Sequence, residues 1–462
     1  MEIFSEFITG LSKMIWNDVL VYLCLLTGIY LSFRMRLVQI RLLPKMGRLI
    51  IKKPDKEAGI TPFQSFVTTV GARVGMGNIA GVAAAIYYGG PGSVFWMWVI
   101  ALLGASLAFA ESALAQKYRV RDKEQYVGGP AYYMERGLGN HTFGKILSVV
   151  FAVSVIIGPG MLMTGPQVQA IASTFESTFG ISRPVVGLVC MILICSVIFG
   201  GIKRIGKTAE ILTPFMCLLY MGLAIVVIFM NISKLPGIIC LIVRSAFGLD
   251  AALAGILGYT VSMGVKRGIY SNEAGQGNGA MIAAAAECEH PAEQGLIQAA
   301  SVYISTMVIC TASALIMLLT DFYNVVDSTG NLVISNIPEI EYGILWVQEA
   351  LKHCFGNWAA KALAIIIVLF VFTSLMSYYY MAEANIKYLL CKKNMELCNT
   401  TVYAMRVVFA VFVFMGALFT GDVVWSMGDI GAGLMIWCNI IALLLMSNQV
   451  VELLSEYEKR DS

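Results

Sequence analysis

Apolar runs of roughly twenty residues recur along nearly the whole chain, separated by short polar or basic connections. Each is long enough to cross a ~30 Å hydrocarbon core as a helix. In chain order they predict about eleven spans: 16–33, one running from Thr61 to the tight turn GGPG at 89–92, then 93–116, 146–175, 181–199, 211–230, 251–287, 295–319, 359–390, 401–419 and 424–446. Two of these runs are interrupted. Segment 71–81 holds Gly71, Gly75, Gly77 and Gly81 together with Arg73 and Asn78. Segment 251–287 carries Gly255, Gly258, Gly264, Gly268, Gly275, Gly277 and Gly279, which places a break between Gly264 and Gly279. Each helical glycine costs about 1 kcal/mol against alanine. In lipid the backbone groups freed by a break find no water, so a break survives only where protein buries it or where it lines a cavity. Many secondary transporters build their substrate and ion sites from such discontinuous helices, and 71–81 reads as part of a binding site.

The positive charges fix an orientation. Basic connections lie at 34–56 (Arg34, Arg36, Arg41, Lys45, Arg48, Lys52, Lys53, Lys56), at 117–145 (Lys117, Arg119, Arg121, Lys123, Arg136, Lys145) and in the short loop GIKRIGK, 201–207. Lys387, Lys392, Lys393 and Arg406 gather on the same side. Basic residues beside spans stay cytoplasmic, so these loops and the tail are inside and the N-terminus is outside. Part of 34–56 reads as an amphipathic surface helix, and 321–357 as an external stretch. Without the first span, ten remain, with breaks in the first and sixth. That layout is an inverted five-plus-five repeat, although no residue-level repeat links the halves. The expected divisions are 1–60 (extra helix and basic segment), 61–232 and 233–448 (the two repeats), and 449–462 (a cytoplasmic tail).

Composition agrees. The 462 residues are 58% hydrophobic and 13% charged, against about 25% charged in soluble domains, and mean hydropathy is +0.76. A net charge of +3 gives no sign of a nucleic-acid partner. The eleven cysteines are scattered through apolar segments and read as packed thiols rather than disulfides. His141, His290 and His353 sit in connections and form no cluster. No nucleotide-binding loop is read in the chain, and no HExxH or GxSxG stands in a span, so neither an ATP-driven pump nor an intramembrane enzyme is expected. A channel would need rings of like residues from several subunits.

Ionisable groups inside spans are functional candidates by default. Arg73 sits in the first break, with Glu111, Glu273 and Glu383 available as partners in a structural ion pair or a site. Lys266 and Arg267 read as markers of a cytoplasmic helix end. Gln167 and Gln169 lie mid-span beside Pro166, where an amide must bond a neighbouring helix or a ligand. Thr373 and Ser374 are adjacent mid-span hydroxyls. With carbonyls freed at 71–74 they would offer uncharged hard oxygens, which suit a monovalent cation.

The stretches FQSFVTTVGARVGMGNIAGVAAAIYYGGPGSVFWMW, GGPAYYMERGLG, GGIKRIGKTAEILTPFM, RGIYSNEAGQGNGAMIAAAA and HPAEQGLIQ resemble, in order, the signature of the alanine or glycine:cation symporter family. The resemblance implies an all-α integral membrane protein with the fold of the sodium-coupled leucine transporter plus an extra N-terminal helix. It implies Na⁺-coupled import of small neutral amino acids across the inner membrane, with no cofactor and no obligatory protein partner. Residue by residue, Gly75, Gly77 and Asn78 match the unwound segment that meets the substrate carboxylate. Gln167, Ser271, Asn272, Glu273 and Tyr378 match further substrate positions. The wider fold implies Na⁺ ligands at Gly71, Val74, Phe370, Thr373 and Ser374. Met76, Gln169, Gln276, Asn278, Ser305 and Tyr378 depart from the common pattern. Alanine and glycine are therefore the expected substrates, with glutamine a further candidate. A proton-coupled carrier using Glu273 or Glu111 is the alternative.

Overall fold

The computed structural model describes residues 2–52, 59–122, 125–139, 141–198, 201–250, 253–391, 394–419 and 421–460. Lys53, Lys56, Lys123, Lys392 and Lys393, counted among the basic connections, lie outside them. The chain opens with α1 (Glu2–Ile15) and α2 (Asp18–Arg34), followed by the short α3 (Val38–Arg41) and α4 (Leu43–Ile50). The first interrupted span is α5 (Pro62–Arg73), a 3₁₀ turn at Met76–Asn78, and α6 (Ala80–Gly89); α7 (Ser93–Lys117) returns. A hairpin of β1 (Val120–Asp122) and β2 (Gln125–Val127) leads to α8 (Pro130–Gly137). Then come α9 (His141–Ile157), a π turn at Gly158–Leu162, α10 (Thr164–Phe179), α11 (Arg183–Val197), α12 (Gly201–Met230) and α13 (Leu235–Ala246). The second interrupted span is α14 (Leu257–Asn272) and α15 (Asn278–Ala284). It is followed by α16 (Pro291–Val302), a π segment at Tyr303–Cys310, and α17 (Thr311–Leu319). A second hairpin, β3 (Asn324–Val326) with β4 (Leu332–Ser335), and α18 (Ile344–Phe355) precede α19 (Asn357–Leu390), α20 (Met395–Gly416), α21 (Gly421–Leu445) and α22 (Ser447–Arg460).

Among the described residues, 8 helical stretches are long and apolar enough to cross a membrane, or 9 counting α5 and α6, whose axes bend by 63° at their break. The sequence count of eleven adds α11, 15 residues long, and the α14–α15 pair. The second break falls at 273–277, inside the expected interval.

Three expectations need correcting. The basic segment 201–207 is no loop but the first two turns of α12. Residues 201–208, GIKRIGKT, also spell GxxxxGK[ST], against the expectation that no such string exists. A phosphate loop needs a strand before it and an open turn whose N–H groups face the ligand. Here the string is continuous helix and the preceding element is a helix, so that context is missing. Finally, Cys391 and Cys398 are joined by a disulfide. The turn between α19 and α20 brings their Cα atoms to 5.1 Å, a closeness that scattered spacing in the sequence conceals.

Between helices in lipid the hydrophobic effect gives little drive, so small residues that permit close approach decide the packing. Gly264 and Gly268 lie four apart on α14 and face Ser93, Trp96 and Ile100 of α7 so closely that a Cβ on either would stand 2.5 Å or less from its neighbours. Long apolar side chains point outward instead. On α12 Ile211, Phe215, Leu218 and Phe229 are exposed, while Thr213, Met216, Tyr220, Ala224 and Val227, spaced by three or four, are buried. α12 is thus a peripheral helix with one face on the core.

Candidate substrate and ion site

The first break forms because α5 is well started and badly continued. Thr61 caps it, accepting from the Gln64 N–H at 3.1 Å while the Gln64 side chain accepts from the Thr61 N–H, and Pro62 opens the first turn. At its far end Val74 leaves helical geometry (ψ 84°) and Gly75 is extended. Side chains hold the loosened backbone. The Asn78 side-chain oxygen accepts from the Gly75 N–H at 3.2 Å, and Gln167 Oε1 on α10 accepts from the Met76 N–H at 3.1 Å. Asn78 Nδ2 faces Ser271 Oγ at 3.1 Å and Ser305 O and Oγ at 2.8 and 2.9 Å. Gly75, Asn78, Gln167 and Ser271 therefore meet in one buried place. Gly77 packs against Tyr270 and the Ser271 backbone.

At the second break Glu273 adopts a left-handed conformation, φ 53°. Asn272 is occupied locally, its Oδ1 accepting from the Ala274 N–H at 2.9 Å. Gln276 donates to the Ile269 carbonyl at 2.9 Å, and Asn278 to Gln276 at 3.3 Å, so these two departures from the family pattern brace the chain reversal. The Tyr378 hydroxyl lies beside Glu273 and Gln167. Both Glu273 carboxylate oxygens are buried, with the Tyr378 hydroxyl and the Asn278 side chain beside them but no well-aligned hydrogen bond to either oxygen among the described residues. Glu111 Oε2 accepts from the Gly277 N–H at 3.1 Å and from Asn439 Nδ2 at 2.9 Å. Arg73 faces both carboxylates but forms no ion pair among the described residues. It donates to the Gln298 carbonyl at 3.0 Å and to Ser301, which answers the ion-pair reading.

Beside the first break a second group converges. The Thr373 hydroxyl is 3.0 Å from the Gly71 carbonyl oxygen and 2.9 Å from that of Phe370. Ser374 Oγ is 3.3 Å from Gly71 O, 3.2 Å from Ala72 O and 3.1 Å from Phe370 O. Gly71, Phe370, Thr373 and Ser374 thus stand together in space, and the Ala72 carbonyl, which sequence reasoning did not single out, joins them. Val74 is buried, and among the described residues no hydrogen bond ties its carbonyl to the group. These oxygens carry no net charge, a donor set for a hard cation.

Lys266 and Arg267 do not mark a helix end. Both sit inside α14 and pair with Asp429 of α21, Arg267 through two bonds of 3.0 Å and Lys266 at 2.7 Å. The Arg267 guanidinium also lies 4.7 Å from the Trp425 ring centre. Asp429 was missed, although a lone acid inside an apolar run is itself a signal.

Two broken helices that meet at buried polar groups, beside a cluster of oxygens, define a discontinuous-helix membrane carrier. The chain belongs to the sodium:alanine symporter family, whose family model matches residues 1–462. It is 42% identical over 99% of its length to the "putative sodium/proton-dependent alanine carrier protein YrbD" of Bacillus subtilis, covering 93% of that protein. It is 40% identical to the sodium/proton-dependent alanine carrier protein of Bacillus sp. strain PS3, over 90% of this chain and 92% of that one. It is also 40% identical to the probable sodium/glutamine symporter GlnT of Bacillus subtilis, over 100% and 92%. Among solved structures it resembles MhsT in complex with L-phenylalanine, with a TM-score of 0.57 and 13% identity, covering 87% of this chain and 99% of that one. The fold is that of the leucine-transporter type, as the family resemblance implied.

Proposed function

We propose that this protein is a sodium-coupled symporter that carries a small neutral amino acid inward by alternating access. The observation that carries the reading is the convergence of the Gly71, Ala72 and Phe370 carbonyls with the Thr373 and Ser374 hydroxyls, directly beside the first break. Na⁺ held there joins α5 to α19. The amino acid then binds at the breaks, its carboxylate on N–H groups of 75–78 and its ammonium on amide and carbonyl oxygens, with Gln167, Ser271, Asn272, Glu273 and Tyr378 around it. Occlusion and rocking of one helix bundle against the other then release both cargoes to the cytoplasm. The membrane potential adds about 2.3 kcal/mol per charge per 100 mV. The N-terminus is placed outside and α22 in the cytoplasm, in the cytoplasmic (inner) membrane. Alanine and glycine are the favoured substrates, and likeness to a glutamine symporter keeps glutamine as a candidate.

The test is uptake of labelled alanine, glycine and glutamine into proteoliposomes with an inward Na⁺ gradient, and with K⁺ in its place. Uptake that requires Na⁺ and is lost when Thr373 and Ser374 are both changed to Ala supports the reading; equal uptake in K⁺ overturns it. A second reading, proton coupling, is favoured by the fully buried carboxylate of Glu273 at the second break and by the name of the PS3 relative. Under it, Glu273→Gln abolishes pH-driven uptake and spares the sodium-driven component.

A further inference from the structure

The oxygen cluster between α5 and α19 has a third wall. α12 packs against both helices, and its buried face presents Thr213, Met216 and Tyr220 to them. Met216 Sδ lies 3.7 Å from the Thr373 hydroxyl, and the Tyr220 ring stands 5.8 Å from that of Phe370. Thr213, one turn before Met216, therefore faces the same place. Its Oγ1 would lie only 2.5 Å from a Cβ placed on Gly71, and the Thr373 Oγ1 3.6 Å from the same point. Two hydroxyls from different helices thus close on one side of Gly71, whose carbonyl already belongs to the cluster.

Thr213 is 1% exposed, and its hydroxyl has no hydrogen-bond partner among the described residues. A helical threonine ordinarily returns its hydroxyl to the carbonyl one turn back, as Thr27, Thr174 and Thr320 do here. A buried hydroxyl left unbonded costs free energy, so its orientation toward Gly71 calls for a ligand. Met216 offers only a soft sulfur on that side, whereas a hard cation takes oxygen.

The geometry points to Thr213 as an oxygen ligand of the coupling cation, supplied by α12 as a third helix. This inference rests on the sodium-site reading above and deepens it. The site then spans three helices, so occupancy clamps α12 onto α5 and α19. Loss of the ion frees all three at once. Gln64 at the start of α5 also donates to Glu210 of α12 at 3.0 Å, so the two helices are tied one turn further along.

The experiment is direct binding of ²²Na⁺ to the purified protein in lipid nanodiscs, with no transport required. Thr213→Val keeps the shape and removes the oxygen; Thr213→Ser keeps the oxygen. The double variant Thr373→Ala with Ser374→Ala is the reference. Val is expected to raise the half-saturating Na⁺ concentration about tenfold or more, and Ser to stay within about twofold of the parent. Amino-acid binding at saturating Na⁺ should be retained by both. Parent-like Na⁺ binding in Thr213→Val, with the double variant weakened, overturns the role of Thr213 alone. Parent-like binding in the double variant as well removes the sodium site and this inference with it. Should the Val variant fail to fold, Thr213→Ala removes the same oxygen with less bulk and is read in the same way.

Discussion

Arg267 grips Asp429 with two hydrogen bonds of 3.0 Å across the α14–α21 contact, and Lys266 reaches the same carboxylate at 2.7 Å. The Asp429 backbone carbonyl also accepts from the Trp16 indole at 2.8 Å, which ties in the end of α1. Removing one partner of a buried charge set leaves the others uncompensated, at a cost of about 3 kcal/mol. Asp429→Asn is therefore expected to lower the thermal unfolding temperature in detergent clearly, and Asp429→Glu less. An unchanged melting curve for Asn would show that the two cations find another partner.

Gln167 makes a different prediction, because it holds the loosened backbone rather than a charge. Leucine in its place orphans the buried Met76 N–H, worth about 1–3 kcal/mol. Since that N–H lies in the break assigned to the substrate, the loss should appear as a half-saturating amino-acid concentration raised about tenfold or more. The Na⁺ dependence should stay near that of the parent, because Gln167 is absent from the oxygen cluster. Equal loss of both affinities would mean that the whole break has collapsed.

Gly71 to Gly81 was legible as a break because four glycines, an arginine and an asparagine in an apolar run have no cheaper explanation in lipid. The second break was visible only as an interval, since only Gly275 and Gly277 lie in it while Gly258, Gly264 and Gly268 belong to α14, where the latter two pack against α7. Thr373 and Ser374 were singled out because adjacent hydroxyls stand out mid-span. What stayed hidden depends on partners far along the chain. Arg267 looked like a helix end because Asp429 lies 162 positions away. Thr213 reads as an ordinary helical threonine until its missing bond to the preceding turn is seen in three dimensions. The π turn at Gly158–Leu162 falls on the Gly-Pro-Gly run 158–160, which was not read as a break, whereas that at Tyr303–Cys310 contains neither glycine nor proline.

His290 gives a pH test away from the transport site. Its Nδ1 accepts from the Ala292 N–H at 3.2 Å and so caps α16 only while that nitrogen is unprotonated. Burial and the charge of Arg460 hold its pKa below the usual histidine value, outweighing Glu456 and Glu293, which act in the opposite direction. A depressed folded pKa means that the unfolded chain binds the proton first. The contribution of His290 to stability is then complete above the ordinary histidine pKa and is lost as pH falls below it. Thermal unfolding should weaken from pH 7.5 toward pH 5.5, and His290→Asn, which caps without titrating, should flatten that part of the profile. A slope identical in both proteins would assign the effect to other groups.

Cys391 and Cys398 set the orientation against the chemistry of the compartment. Both flank the α19–α20 connection, which the positive-inside rule places in the cytoplasm through Lys387 and its neighbours. Cytosolic thiols are kept reduced, so under the proposed orientation the pair is open in growing cells and closes only on oxidation. Maleimide labelling decides this. Whole cells should leave both residues unlabelled by a membrane-impermeant reagent, inside-out vesicles should label them, and mild oxidant before labelling should protect both together. The α19–α20 turn already brings the two Cα atoms to 5.1 Å, so closure needs no rearrangement. Labelling from the outside of intact cells once an impermeant reductant has been applied, with inside-out vesicles left unlabelled, would reverse the orientation and place the disulfide in the oxidising compartment. Every loop assignment, including that of the basic segment 34–56, would invert with it.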